Sequence, residues 1–168
     1  MSRDDRKIQL VLPRHADAGN PEAWHGDDAA RPLSEKGRLQ AERLGSFLAE
    51  IRFRPDAIVS SPKVRARQTA EIVADALGVV VGLDDRLAAG VDPANVDALL
   101  ADAGAPARPV LVGHDPDFSD LLSSLASAPG LAMKKGAIAR IDVRGRVADG
   151  RGTLRWLIPP DLLDADRR

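Results

Sequence analysis

Apolar residues gather in short runs of strand length, at Ile8–Leu12, Ala57–Val59, Val79–Val81 and Pro109–Val112. Two later segments, Ala137–Val143 and Thr153–Ile158, alternate apolar with polar residues, the period of a half-buried strand. Between the first four runs the period becomes helical. From Ser34 to Ile51, the side chains of Leu39, Leu44, Phe47, Leu48 and Ile51 form one stripe, with Ser34 placed as N-cap. The segment Pro62–Leu77 opens on Ser61-Pro62, a capping residue followed by proline at the first helical position. Ala94–Ala103 and Pro116–Ala126 complete the helical segments.

Strands alternating with helices predict an α/β fold of three layers, a sheet that is mostly parallel with helices on both faces. The loop "RGRVADGRG" between the last two strands is of hairpin type and predicts an antiparallel edge. A length of 168 residues suits one domain spanning 1–168, with the polar tail 164–168 frayed.

Composition narrows the partners. Apolar residues make up 44% and charged residues 29%, as in ordinary soluble domains. The net charge of −1 supplies no global field for nucleic acid or an anionic membrane, so an anion site has to be built locally. Aromatics at 3%, without tyrosine, argue against stacking platforms for single-stranded nucleic acid. The absence of cysteine removes disulfides, thiolate nucleophiles and cysteine-ligated metals. The stretch before Pro13 has too few apolar residues for a signal segment or a membrane span, and a cytoplasmic location is expected.

Open α/β sheets bind ligands beyond the carboxyl ends of their strands. Here the first strand ends in Arg14-His15, the second runs into Ser60-Ser61-Pro62, and the fourth ends in Gly113-His114. The helix that follows Ser61 carries Lys63, Arg65 and Arg67 before its first acid, Glu71. Cations at a helix N-terminus oppose its dipole, by roughly 0.3–1 kcal/mol each when exposed. A phosphate dianion would turn that cost into a gain, since helix N-termini and guanidinium groups both select it. Asp115, followed by proline, is also a good N-cap, which competes with any chemical role. His15, His25 and His114 show no metal-ligand spacing, and His25, between Trp24 and Gly26, reads as surface or rim.

These blocks resemble the histidine phosphatase superfamily, of phosphoglycerate mutase-like fold. Arg14-His15-Ala16 resembles its Arg-His block, "SPKVRARQTA" (Ser61 to Ala70) its Ser-Pro and Arg-Ala block, and Gly113-His114 its Gly-His block. "RPLSEKGRLQA" (Arg31 to Ala41) and "RHADA" are similar to the small SixA-like phosphohistidine phosphatases. The resemblance implies that His15 is a nucleophile forming a phosphohistidine, while Arg14, Arg65 and His114 hold the phosphoryl oxygens. It implies no metal and no cofactor, and His114 would act best as an imidazolium stabilised by the phosphate.

Two departures stand out. The glutamate block that donates a proton in the mutases has no clear counterpart, and Asp17 and Asp115 are the acids nearest the matched motifs. Asp115 directly follows the second histidine, as an acid donor does in the acid phosphatase branch. Pro13 lacks an N–H and should sit where no ladder donor is required. The expected function is a metal-independent phosphatase acting on phosphohistidine borne by a protein. The alternatives are a small-molecule phosphomonoesterase or pyrophosphatase of the same fold, and a non-catalytic phosphoryl-binding module.

Overall fold

The structure, a computed structural model, describes residues 2–164. The tail expected to fray therefore falls, beyond Asp164, outside the described residues. Six strands, β1 Lys7–Pro13, β2 Ala57–Ser60, β3 Val81–Leu83, β4 Pro109–Val112, β5 Ile138–Arg144 and β6 Gly152–Ile158, form one sheet in the order β3-β2-β4-β1-β5-β6. The pairs β1–β4, β2–β4 and β2–β3 are parallel; β5 runs antiparallel to both β1 and β6. The predicted mixed sheet with an antiparallel edge is present.

Helices α1 (Glu35–Glu50) and α2 (Val64–Leu77) cover one face, and α3 (Pro93–Asp102) and α4 (Asp117–Ala126) the other. β1 is apolar on both sides because both sides are covered. Ile8, Leu10 and Leu12 enter the core that holds Leu99, Leu100, Phe118 and Leu121. Val11 enters the opposite core with Leu44, Leu48, Ala70 and Val73. Each fully buried Leu or Phe contributes about 1.5–3 kcal/mol.

Three elements differ from expectation. The third strand begins at Val81 rather than Val79, because Gly78 caps α2 in the left-handed conformation and Val79 N–H closes that cap on Ala74 O (3.2 Å). In α1 the stripe is rotated: Leu44 and Leu48 are buried, whereas Leu39 and Ile51 are exposed. Its buried face is instead lined by Gly37, Gln40, Ala41 and Gly45, where α1 approaches its neighbours closely. α2 starts at Val64, not Pro62, with Lys63 in the N-cap position. Ser61 still serves the helix start, its hydroxyl accepting from Lys63 N–H (3.2 Å).

Two glycines allow the close approaches that shape the site edge. A Cβ on Gly37 would lie 1.9 Å from Asp17 O, so only glycine lets α1 dock on the loop after His15. A Cβ on Gly113 would lie 2.6 Å from the Phe118 ring, which packs under the end of β4. Pro13 is the last residue of β1, where its carbonyl accepts from Gly113 N–H (3.4 Å) and Arg14 and His15 supply the next N–H donors.

Candidate active site

The carboxyl ends of β1, β4 and β2 are neighbours in the sheet, and Arg14 and Gly113 form a further parallel bridge just past them. This adjacency brings together His15, His114, Arg14, Arg65 and Asp115. The rings of His15 and His114 are 5.1 Å apart, tilted by 51°.

His15 is buried, and its Nδ1–H donates to Ala16 O (2.8 Å), which leaves the Nε2 lone pair uncommitted. Burial, with the charges of Arg65, Arg14 and Lys135, pushes its pKa down to about 4 against the pull of the Ala16 bond. The ring is therefore neutral at neutral pH, as a nucleophile has to be. His114 is lowered to about 3, first by burial, then by His15, Lys63 and the two arginines. In the free protein His114 is thus neutral, and the imidazolium expected from sequence requires an anion beside it. Its Nε2 shares a hydrogen bond with Ser61 Oγ (2.7 Å), while the buried Nδ1 has no partner.

Arg14 and Arg65 are anchored at one end and open at the other. Arg14 Nη1 donates to Met133 O (2.7 Å) and lies 3.8 Å from Asp115 Oδ2. Arg65 donates from Nη1 to Asp28 O (2.9 Å) and from Nη2 to Asp28 Oδ2 (3.1 Å). Both Nε–H groups are buried without an acceptor. Desolvation lowers both guanidinium pKa values, with Asp115 and Asp28 respectively opposing it. Two orphaned donors and an orphaned imidazole nitrogen around a neutral histidine form a site that a multi-oxygen anion would satisfy.

The dipole conflict expected for α2 is real but compensated. Its first turn holds no acid. Arg65 is paired instead with Asp28, from the turn at Asp28–Ala30, and Arg67 lies 3.5 Å from Glu71. The rest of the "RARQTA" block serves as a fastener. Thr69 Oγ accepts from Ala16 N–H (3.1 Å) and Gln68 Oε1 from Leu33 N–H (2.9 Å), holding α2 to the loop that follows His15.

Asp115 is not the N-cap expected from sequence: Pro116 holds that position without a side-chain cap bond, and Asp115, one residue earlier, reaches over it to the first turn of α4. Oδ1 accepts from Ser119 N–H (3.0 Å) and Oδ2 from Ser119 Oγ (2.5 Å), although α4 itself starts two residues later. Ser119 Oγ accepts from Met133 N–H (2.9 Å), so the chain Asp115–Ser119–Met133–Arg14 closes on the site. Asp17 turns to α1, accepting from Ser34 Oγ (2.6 Å) and Gly19 N–H (3.3 Å), and the Ser34 bond chiefly holds its carboxyl below the ordinary range. His25 is exposed.

Sequence reasoning missed Asp28, which lies in a polar loop without periodicity, and recognised Ser61 only as a cap. Among the described residues no cluster of three His, Asp or Glu side chains could hold a metal ion, and no helix is long and apolar enough to cross a membrane.

Comparison with known proteins places the chain in a family. A profile of the histidine phosphatase superfamily (branch 1) matches residues 10–89. An uncharacterised protein of Picosynechococcus is 32% identical over 140 residues, 78% of this chain and 82% of that protein. The 8-oxo-(d)GTP phosphatase of Mycolicibacterium smegmatis is 35% identical over 111 residues, 64% of this chain but only 34% of that longer protein. Among solved structures, the protein histidine phosphatase SixA complexed with tungstate superposes with a TM-score of 0.77 at 24% identity, covering 94% of this chain and 100% of that one. The putative phosphohistidine phosphatase SixA from Agrobacterium tumefaciens gives 0.71 at 26% identity, over 91% and 99%. The chain belongs to the histidine phosphatase superfamily.

Proposed function

We propose that this protein is a phosphatase that takes the phosphoryl group onto His15 Nε2 and hydrolyses it, and that its substrate is phosphohistidine on a protein. The observation that carries the reading is the state of His15: neutral, with Nδ1–H tied to Ala16 O, and set among two arginines with unused donors. The phosphoryl group passes from the substrate nitrogen to Nε2, and the electron pair of the broken P–N bond stays on the leaving imidazole. Arg14, Arg65 and His114 hold the phosphoryl oxygens; positioning and charge neutralisation supply most of the catalysis in such transfers. Water then attacks the phosphorus, releases phosphate and frees Nε2. Asp115 is the proposed proton donor, and it does least when the leaving group is imidazole rather than an alkoxide.

The phosphohistidine assignment is supported by the likeness to the two SixA structures. A small phosphate ester or a nucleotide is the competing substrate, favoured by the 8-oxo-(d)GTP phosphatase match. The test is turnover, with chelator present, of a phosphohistidine-bearing protein, 8-oxo-dGTP and simple phosphate esters. Brief reaction with labelled substrate and an acid-avoiding quench should trap an acid-labile, base-stable phosphoryl group on wild type and none on His15→Ala. Label retained by His15→Ala overturns the nucleophile. A higher kcat/KM on 8-oxo-dGTP than on the phosphoprotein overturns the substrate.

A further inference from the structure

The turn Met133–Gly136 is bolted to the segment that carries His15. Gly136 N–H donates to His15 O (3.0 Å), Arg14 N–H to Ala137 O (3.0 Å), and Arg14 Nη1 to Met133 O (2.7 Å). Gly136 has φ +77°, and a Cβ there would meet Gln40 Oε1 at 3.0 Å, so the turn also lies closely against α1. The geometry presents Lys134 and Lys135 on a fixed platform beside the site. Lys36, in the first turn of α1, lines the same groove of about 510 Å³, which also includes Arg14.

The charges in this groove are unbalanced. Arg43 is held by Asp164 at 3.2 Å. Among the described residues, none of Lys36, Lys134 and Lys135 takes part in an ion pair. Asp17 and Asp161 are the remaining carboxylates of the lining; the Asp17 carboxylate, held by Ser34 and Gly19, also feels Lys135 and Lys36, so that among the described residues five cations face three carboxylates. Lys36 also sits where the dipole of α1 disfavours a cation. A chain whose net charge is −1 has thus concentrated an excess of cations at one place, next to His15. Such clustering costs free energy until an anion arrives, and it focuses the local potential on an incoming one. A single phosphoryl group, of charge near −2, is already served by Arg14, Arg65 and His114.

We propose that the groove lined by Lys36, Lys134 and Lys135 binds a second anionic group of the substrate, carried beside the phosphoryl group that reacts. This rests on the reading of His15 as the phosphoryl acceptor. Ammonium groups on flexible stems suit a carboxylate or phosphate whose position varies, whereas the arginines suit the fixed geometry of the reacting group. Two sources share this chemistry: acidic side chains flanking a phosphohistidine, and a second phosphate on a small molecule.

The test compares binding to His15→Ala with binding to the same protein carrying Lys36→Gln and Lys134→Gln, so that no ligand turns over. The probes are sulfate, inorganic pyrophosphate, and a phosphohistidine peptide flanked by aspartates or by asparagines. The lysine substitutions should leave sulfate binding unchanged and weaken pyrophosphate or the aspartate peptide by about tenfold at low salt, the weakened probe identifying the source. Unchanged affinity for both doubly anionic probes, or an equal loss for sulfate, overturns the proposal. Failure to trap phosphate on wild-type His15 while this selectivity persists removes the phosphoryl-acceptor reading and leaves the groove assignment standing.

Discussion

Asp28 holds the far end of the Arg65 guanidinium, its carbonyl oxygen 2.9 Å from Nη1 and Oδ2 3.1 Å from Nη2. The same carboxylate accepts from Arg31 Nε at 3.1 Å. An exposed acid in a short turn thus fixes the orientation of a buried arginine on another element. Asp28→Ala should lower kcat/KM about 5–30-fold, the equivalent of roughly 1–2 kcal/mol of lost orientation. Steady-state kinetics check this; an unchanged kcat/KM would mean that the carbonyl contact alone orients Arg65.

Asp115→Asn separates capping from chemistry. Asparagine caps as well as aspartate, and its carbonyl can keep the Ser119 N–H bond that Oδ1 makes at 3.0 Å. Hydrolysis of alkyl phosphates should fall about 10²–10⁴-fold, the usual span for a general acid, and hydrolysis of phosphohistidine far less. A uniform loss on both substrates points instead to disturbance of Arg14, whose Nη1 lies 3.8 Å from Asp115 Oδ2. No loss on either leaves Asp115 as a cap alone.

The two buried histidines make stability depend on pH in a defined direction. Desolvation foremost lowers His15 to about 4 and His114 to about 3 in the folded protein, against about 6.5 in an unfolded chain. As pH falls below about 6.5, the unfolded chain takes up protons first. The stability conferred by the neutral rings is complete above that value and is lost as pH falls through the folded pKa values. Thermal unfolding of wild type against His15→Asn/His114→Asn should show a gap in Tm that changes between pH 6.5 and pH 4 and is constant above pH 7. A gap independent of pH would contradict the neutral, buried rings.

Anion binding should bring a proton with it. His114 Nδ1 is buried without a partner, and a bound anion supplies both an acceptor and a charge that favours the imidazolium. Sulfate does not itself titrate near neutrality, so its binding near pH 6 should take up a fraction of one proton. Calorimetry in buffers of different ionisation enthalpy reads this uptake, and His114→Asn should abolish it. Uptake undiminished in His114→Asn would place the proton on another group.

Much of the fold was legible in the sequence because it rests on local rules. The continuous apolar runs of β1 and β4 and the helical periods between them specify a sheet covered on both faces. Ser34 caps α1 as its residue type predicts, its hydroxyl accepting from Gly37 N–H at 3.1 Å. The rotated stripe of α1 was not legible. Periodicity locates apolar residues, but the buried face follows from how closely a neighbour can approach, and Gly37 and Gly45 decide that through the absence of a Cβ.

For the site, sequence by itself determined which groups stand at the strand ends: Arg14 and His15 after β1, His114 after β4, and Arg65 in the first turn of α2. The tertiary structure alone decided their states. Strand order placed the two imidazoles 5.1 Å apart, burial made both neutral, and Asp28 reached Arg65 across 37 positions of chain. Desolvation and long-range hydrogen bonds depend on what surrounds a group in space, and that neighbourhood exists only once the chain has closed around it.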